Sequence, residues 1–180
     1  VNPRDRILGA ACLVGWVVGG VYDGAPSDFL WACYIGLGFM GVSLLLRSQS
    51  LCAFSAMWLL YGNALWVLEL VAGGMGTRPH AVFLHVGGIL VAFYALREFR
   101  FPASAQWWRV VVGLLVLQRI CAWVTPPAAN VNLSHAVQEG WEGSFGDYLS
   151  YMLLVTASGA VGLAVAEAGL RRVFREAEAA

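Results

Sequence analysis

The chain has 180 residues, of which 59% are hydrophobic and only 12% charged, with 11 basic side chains balanced by 11 acidic ones. A water-soluble domain cannot bury so large an apolar fraction, and a neutral chain of pI ≈ 7.0 has no basic patch for a nucleic acid. What remains is an integral membrane protein.

Six apolar stretches follow one another at 7–22, 29–46, 51–73, 81–96, 107–124 and 145–170. Most come close to the roughly 20 residues that cross a bilayer as helix. The expected fold is all-α: a polytopic six-helix transmembrane bundle forming a single domain over residues 1–180. The first stretch follows Arg4 and Arg6 as a secretory signal would, but no small-x-small cleavage pattern comes after Tyr22, so an uncleaved anchor is expected.

With the N-terminus inside, Arg4, Arg6, Arg47, Arg97, Arg100, Arg109, Arg171, Arg172 and Arg175 fall on the cytoplasmic side and Arg78 on the outer side. The outer segments carry Asp23, Asp28, Glu139, Glu142 and Asp147 instead. Both termini are therefore expected in the cytoplasm. All the basic residues are arginine, and with alanine, valine and glycine abundant the composition points to a GC-rich bacterial gene and a bacterial cytoplasmic membrane.

Helices in lipid meet where small residues let backbones approach. Such stripes are Gly15 and Gly19 in helix one, Cys33, Gly36 and Ser43 in helix two, and Gly62, Glu69 and Gly73 in helix three. Helix four repeats the pattern with His85, Gly88, Ala92 and Ala95, and helix six with Ser158, Gly162 and Ala166. These faces are expected to point inward. Cys12, Cys33, Cys52 and Cys121 lack CxxC spacing, which supports neither a disulfide framework nor a zinc site.

Charged side chains inside a membrane helix are costly and face a partner or a wet cavity. Here Cys33, Glu69, His85 and Arg119, from four different helices, are expected at one level about 6–9 Å below the outer edge. Glu69 and Arg119 suit a buried ion pair with Trp123 stacked on the guanidinium, or a clamp in which Arg119 binds a phosphate or carboxylate headgroup. His85 suits a hydrogen bond between helices, or a base that activates a thiol at its own depth. No cofactor or metal is expected: His80 and His85 are about 140° out of phase on a helix and His135 lies in a loop.

The connection 125–144 is the one long loop. Pro126 and Pro127 end helix five, Asn132 or Ser134 is placed to cap a short helix through Glu139, and Gly140 to close it. Trp141 and Phe145 suit the membrane interface. The expectation is an ordered interfacial lid above the Cys33, His85 and Arg119 level, or a plain re-entry loop anchored by its aromatics.

The order of these features resembles the YwaF-like integral-membrane proteins of bacteria, whose eukaryotic relatives are transmembrane acyltransferases that remodel ether phospholipids. The residues that carry the resemblance are Cys33 early in helix two, His85 early in helix four, Asn130-Val131-Asn132-Leu133, and Gly146-Asp147-Tyr148 with Tyr151. It spans residues 28–172. The resemblance implies Cys33 as acyl acceptor and His85 as its general base, with membrane lipids as partners; the headgroup role of Arg119 and Glu69 comes from their chemistry instead. The competing reading is non-catalytic: a small subunit of a larger respiratory, photosynthetic or transport complex that binds lipid, quinone or pigment through its 8 tryptophans and 9 phenylalanines. A transporter is a third, less supported by the sequence because no internal repeat relates the two halves.

Overall fold

The computed structural model describes residues 2–71 and 79–174, without the side chains of residues 23, 28, 65, 68–71, 79, 80 and 83. Among these residues the backbone forms six α-helices and no strand: α1 (Pro3–Asp23), α2 (Ala32–Leu46), α3 (Gln49–Val71), α4 (Pro79–Phe99), α5 (Trp107–Val124) and α6 (Tyr148–Val173). Short 3-10 turns at Pro26–Leu30, Pro127–Ala129, Val131–Leu133 and Glu142–Ser144 occupy the connections. Three helices, α1, α5 and α6, are long and apolar enough to cross a membrane, which marks a membrane protein. Gly73, Arg78 and Arg175 lie outside the described residues, as do the side chains of Asp23, Asp28, Glu69 and His80.

Helix boundaries follow local chemistry. The Asn2 side chain accepts from Arg4 N at 3.1 Å and Pro3 takes the first position of α1, where its missing N–H costs nothing. Gly24, at φ 91, ends that helix in the left-handed region. Between α2 and α3 the chain reverses in two residues, with Arg47 at φ 52 and the Ser48 hydroxyl accepting from Leu51 N at 3.3 Å.

α2 is shorter than the stretch 29–46 suggests. It has 15 residues, about 22 Å of helix, between neighbours of 21 and 23 residues. The Pro26–Leu30 turn stands where its first turn was expected, because Asn132 from the long loop holds the backbone on both sides of Trp31.

α1 to α4 pack in sequence as a bundle, with α4 also touching α1 and α2, while α5 and α6 pair with each other and lean on α3. Trp58, Met40, Leu44, Met57, Leu59 and Leu96 are fully buried at the centre. α1 and α2 touch backbone to backbone: a Cβ on Gly9 would lie 2.9 Å from Gly41 O, and one on Gly41 2.8 Å from Gly9 O. Gly15, facing Leu37 and Leu84, and Gly19, facing Tyr34 and Leu84, turn inward as their stripe predicts, and so do Gly36, Ser43, His85, Gly88, Ala92 and Ala95.

The stripe of α6 does not. Ser158 and Gly162 are exposed. The inward face carries Tyr151, Leu163, Glu167 and Leu170, with Gly159 against Tyr61, and each residue of the small stripe precedes one of these by one position, about 100° around the helix.

At the base of the bundle, where α1 begins and α6 ends, two carboxylates are buried. Asp5 is 1% exposed, accepts from the Tyr94 hydroxyl at 3.2 Å and lies 3.9 Å from Arg47 Nε. Glu167, 5% exposed, accepts from the backbone N–H groups of Gln106 at 2.8 Å and Trp107 at 2.7 Å, which otherwise open α5 without a side-chain cap. Arg171 neutralises it at 2.6 Å and donates onward to Pro102 O and Ser104 O, both at 2.8 Å. Replacing Glu167 by alanine strips the start of α5 of its acceptor and leaves Arg171 without its counter-ion. Breaking a buried pair costs about 3 kcal/mol or more, so Glu167→Ala should lower the unfolding midpoint in detergent far more than Arg172→Ala on the exposed side of the same helix.

Candidate functional site

The top of the bundle, where α2 and α4 begin, gathers most of the polar residues marked from the sequence. Cys33 is the second residue of α2 and is half-buried. Its neighbour is Gly62 of α3, where a Cβ would sit in ordinary van der Waals contact, 3.9 Å from the Cα, Cβ and N of Cys33. His85 is 7% exposed on α4. Its Nδ1 lies 3.2 Å from Oδ1 of Asn63, the residue after Gly62, and its ring stacks on Trp66 with centroids 4.4 Å apart and planes at 10°. Cys33 and His85 therefore meet α3 at consecutive residues.

The first turn of a helix presents the positive end of its dipole and stabilises negative charge placed there. Two neutral side chains fix the start of α2. Asn132 accepts from Ala32 N at 2.9 Å and donates to Leu30 O at 2.7 Å, and the Trp58 indole donates to Ala32 O at 2.7 Å. Asn132 Nδ2 also approaches the buried Cys121 Sγ at 3.3 Å.

The loop is ordered, as expected, but by other means. No α-helix forms between Ser134 and Glu139. Asn130, Asn132 and Leu133 have φ of 39°, 53° and 58°, left-handed values incompatible with a helix start, and Asn130 Oδ1 accepts the N–H groups of both His135 and Ala136 at 3.0 Å. Ser134 caps nothing: its hydroxyl is buried with no hydrogen-bond partner among the described residues. Gly140 does take the left-handed conformation, at φ 85, in the turn closed by Trp141 N donating to Gln138 O at 3.0 Å. His135 is half-buried and lies 3.1 Å from Thr125 O through Nε2.

Arg119 does not join the cluster. It lies on the exposed face of α5, where Trp123 is 80% exposed, and among the described residues neither an ion pair to Arg119 nor a stack between the two occurs. The side chain of Glu69, its expected partner, is outside the described residues. Gln118 of α5 also turns to the loop and donates to Leu133 O at 3.0 Å, beside the Tyr148 hydroxyl that donates to the same oxygen at 2.6 Å. Gln118 and Asn63 carry no signal in the sequence beyond being amides in apolar helices, the kind of residue that marks an interhelical contact.

Trp141 is exposed and stacks on Phe145 with centroids 6.3 Å apart, and Phe145 meets the buried Tyr151 edge-on at 4.9 Å. Asp147 is exposed and caps α6, accepting from Ser150 N and Ser150 Oγ, both at 2.8 Å. Among the described residues no cluster of three or more histidine, cysteine or acidic side chains could hold a metal ion. No family model, no curated protein and no solved structure matches this chain.

Two outcomes follow from this geometry. Asn132→Ala leaves Ala32 N–H without its acceptor and should cost about 2 kcal/mol; a thiol reagent should then modify Cys33 faster as the start of α2 loosens, whereas Asn130→Ala should leave that rate closer to wild type. The Ser150 backbone N–H and then its hydroxyl hold the Asp147 carboxyl below the ordinary 3.8. The folded value is the depressed one, so the cap's contribution is present above 3.8 and is lost as pH falls through the lower folded value. Ser150→Ala should move the Asp147 titration midpoint, followed by carboxyl 13C NMR, upward toward the ordinary value.

Proposed function

We propose that this is a six-span membrane protein of the bacterial cytoplasmic membrane, both termini inside, that acts on lipid acyl chains in the outer leaflet. The arginine asymmetry supports the orientation. The observation that supports the activity is that Cys33, in the first turn of α2, lies against Gly62 and His85 against Asn63, consecutive residues of α3. The likeness to the YwaF-like proteins in the order of these residues supports the same reading.

In the proposed reaction His85 takes the thiol proton as Cys33 sulfur attacks the ester carbonyl carbon of a phospholipid. The tetrahedral intermediate collapses to an acyl thioester, and the leaving lysophospholipid oxygen receives the proton from His85. A lysophospholipid hydroxyl or water, deprotonated by His85, then attacks the thioester and Cys33 leaves as thiolate to be reprotonated. Arg119, exposed on α5, offers planar donors to a lipid phosphate, and Glu69 completes the headgroup set by its charge. Asn130, Asn132, Trp141, Asp147 and Tyr151 serve as the cover of the site and its anchor at the interface.

The alternative is a non-catalytic subunit of a larger membrane complex, binding lipid, quinone or pigment. The exposed small-residue face of α6, at Ser158 and Gly162, favours it because such faces admit a neighbouring helix.

An alkyne-tagged phospholipid separates the two. Purified protein should acquire a label that hydroxylamine removes, and both Cys33→Ala and His85→Ala should lose it by about 10²-fold or more. Absence of label on folded wild type in lipid would overturn the acyl-transfer reading and leave the subunit.

A further inference from the structure

We propose that Asn63 is the positioning residue that fixes the tautomer of His85, with hydrogen on Nδ1 and a bare lone pair on Nε2. The argument begins at a backbone carbonyl. Leu59 O can only accept, and the Asn63 side chain reaches it at 2.7 Å, so the atom there is the amide nitrogen. That leaves Oδ1 facing His85 Nδ1 at 3.2 Å. Oδ1 also can only accept, so Nδ1 carries the hydrogen, and in the neutral ring Nε2 does not.

Two contacts together remove the other arrangements. The Trp66 ring, stacked at 4.4 Å and 10°, sets the plane of the imidazole. Within that plane a half-turn about Cβ–Cγ would exchange Nδ1 for Cδ2 and lose the bond to Asn63, with the ring too buried for water to replace it. Stacking thus chooses the plane, and Asn63 chooses which edge of the ring faces α3. The opposite edge presents an acceptor.

The tautomer is a property of the folded chain whatever the activity. Its use rests on the acyl-transfer reading above, in which the lone pair on Nε2 receives the Cys33 proton. A histidine oriented by an asparagine is one of the recurring arrangements for activating a thiol.

Ring 15N NMR of this 180-residue chain in micelles at pH 8 tests the assignment, since only 3 histidines contribute and His85→Gln identifies one set of signals. The expected result is a protonated Nδ1 with a one-bond N–H coupling and an unprotonated Nε2. Asn63→Leu should lose that Nδ1–H signal, and Asn63→Asp, which keeps an acceptor, should retain it. An unprotonated Nδ1 in wild type overturns the proposal, as does an unchanged pattern in Asn63→Leu. In the lipid-labelling assay Asn63→Leu should fall by roughly 10²-fold and Asn63→Asp should recover most of that loss. If wild type shows the expected tautomer and no labelling, the acyl-transfer reading fails while the role of Asn63 in setting the ring stands.

Discussion

The upper half of this molecule depends on how the short helix α2 begins. Its fifteen residues run about 22 Å, and the first N–H groups of a helix have no partner within it. Where such groups are buried, the rest of the protein supplies the missing partners. Asn132 does so from 100 residues away for Ala32 N–H and from 102 for Leu30 O. The course of the long loop and the place of Cys33 in the first turn of α2 follow from that requirement.

The two ends of the bundle meet their polar demands with different chemistry. The base uses charge, Asp5 with Arg47 and Glu167 with Arg171, each carboxylate also accepting from an uncharged donor. The top uses neutral amides, Asn63, Gln118, Asn130 and Asn132, with the Trp58 indole and the Tyr148 hydroxyl. An amide satisfies a buried carbonyl without the desolvation that a charge incurs. Arg119 fits this division, since it lies on the exposed face of α5.

Apolar runs and their breaks made most of the fold legible in the sequence: α5 has the expected limits, and α1, α3, α4 and α6 lie within a few residues of theirs. The start of α2 was not legible, because residues 29–31 are apolar enough for helix and only a distant asparagine excludes it. Small-residue stripes gave the inner faces where no larger residue competed. On α6 they did not, because Leu163, Glu167 and Leu170 share a neighbouring face and are buried there. Glu167 itself reads as a helix-end charge, since nothing local says that its partners are amides sixty residues earlier. That Cys33 and His85 lie near the starts of α2 and α4 was readable from the helix ends, whereas the rotation that brings in Asn63 and sends Arg119 outward needs the packed bundle.

Glu167 also imposes an order on biogenesis. The N–H groups that open α5 belong to Gln106 and Trp107, and their acceptor is made 61 and 60 residues later. A nascent chain therefore completes α1 to α4, whose contacts are mostly between successive helices, before α5 can settle. Until α6 has been synthesised, α5 remains a helix with an unfinished beginning.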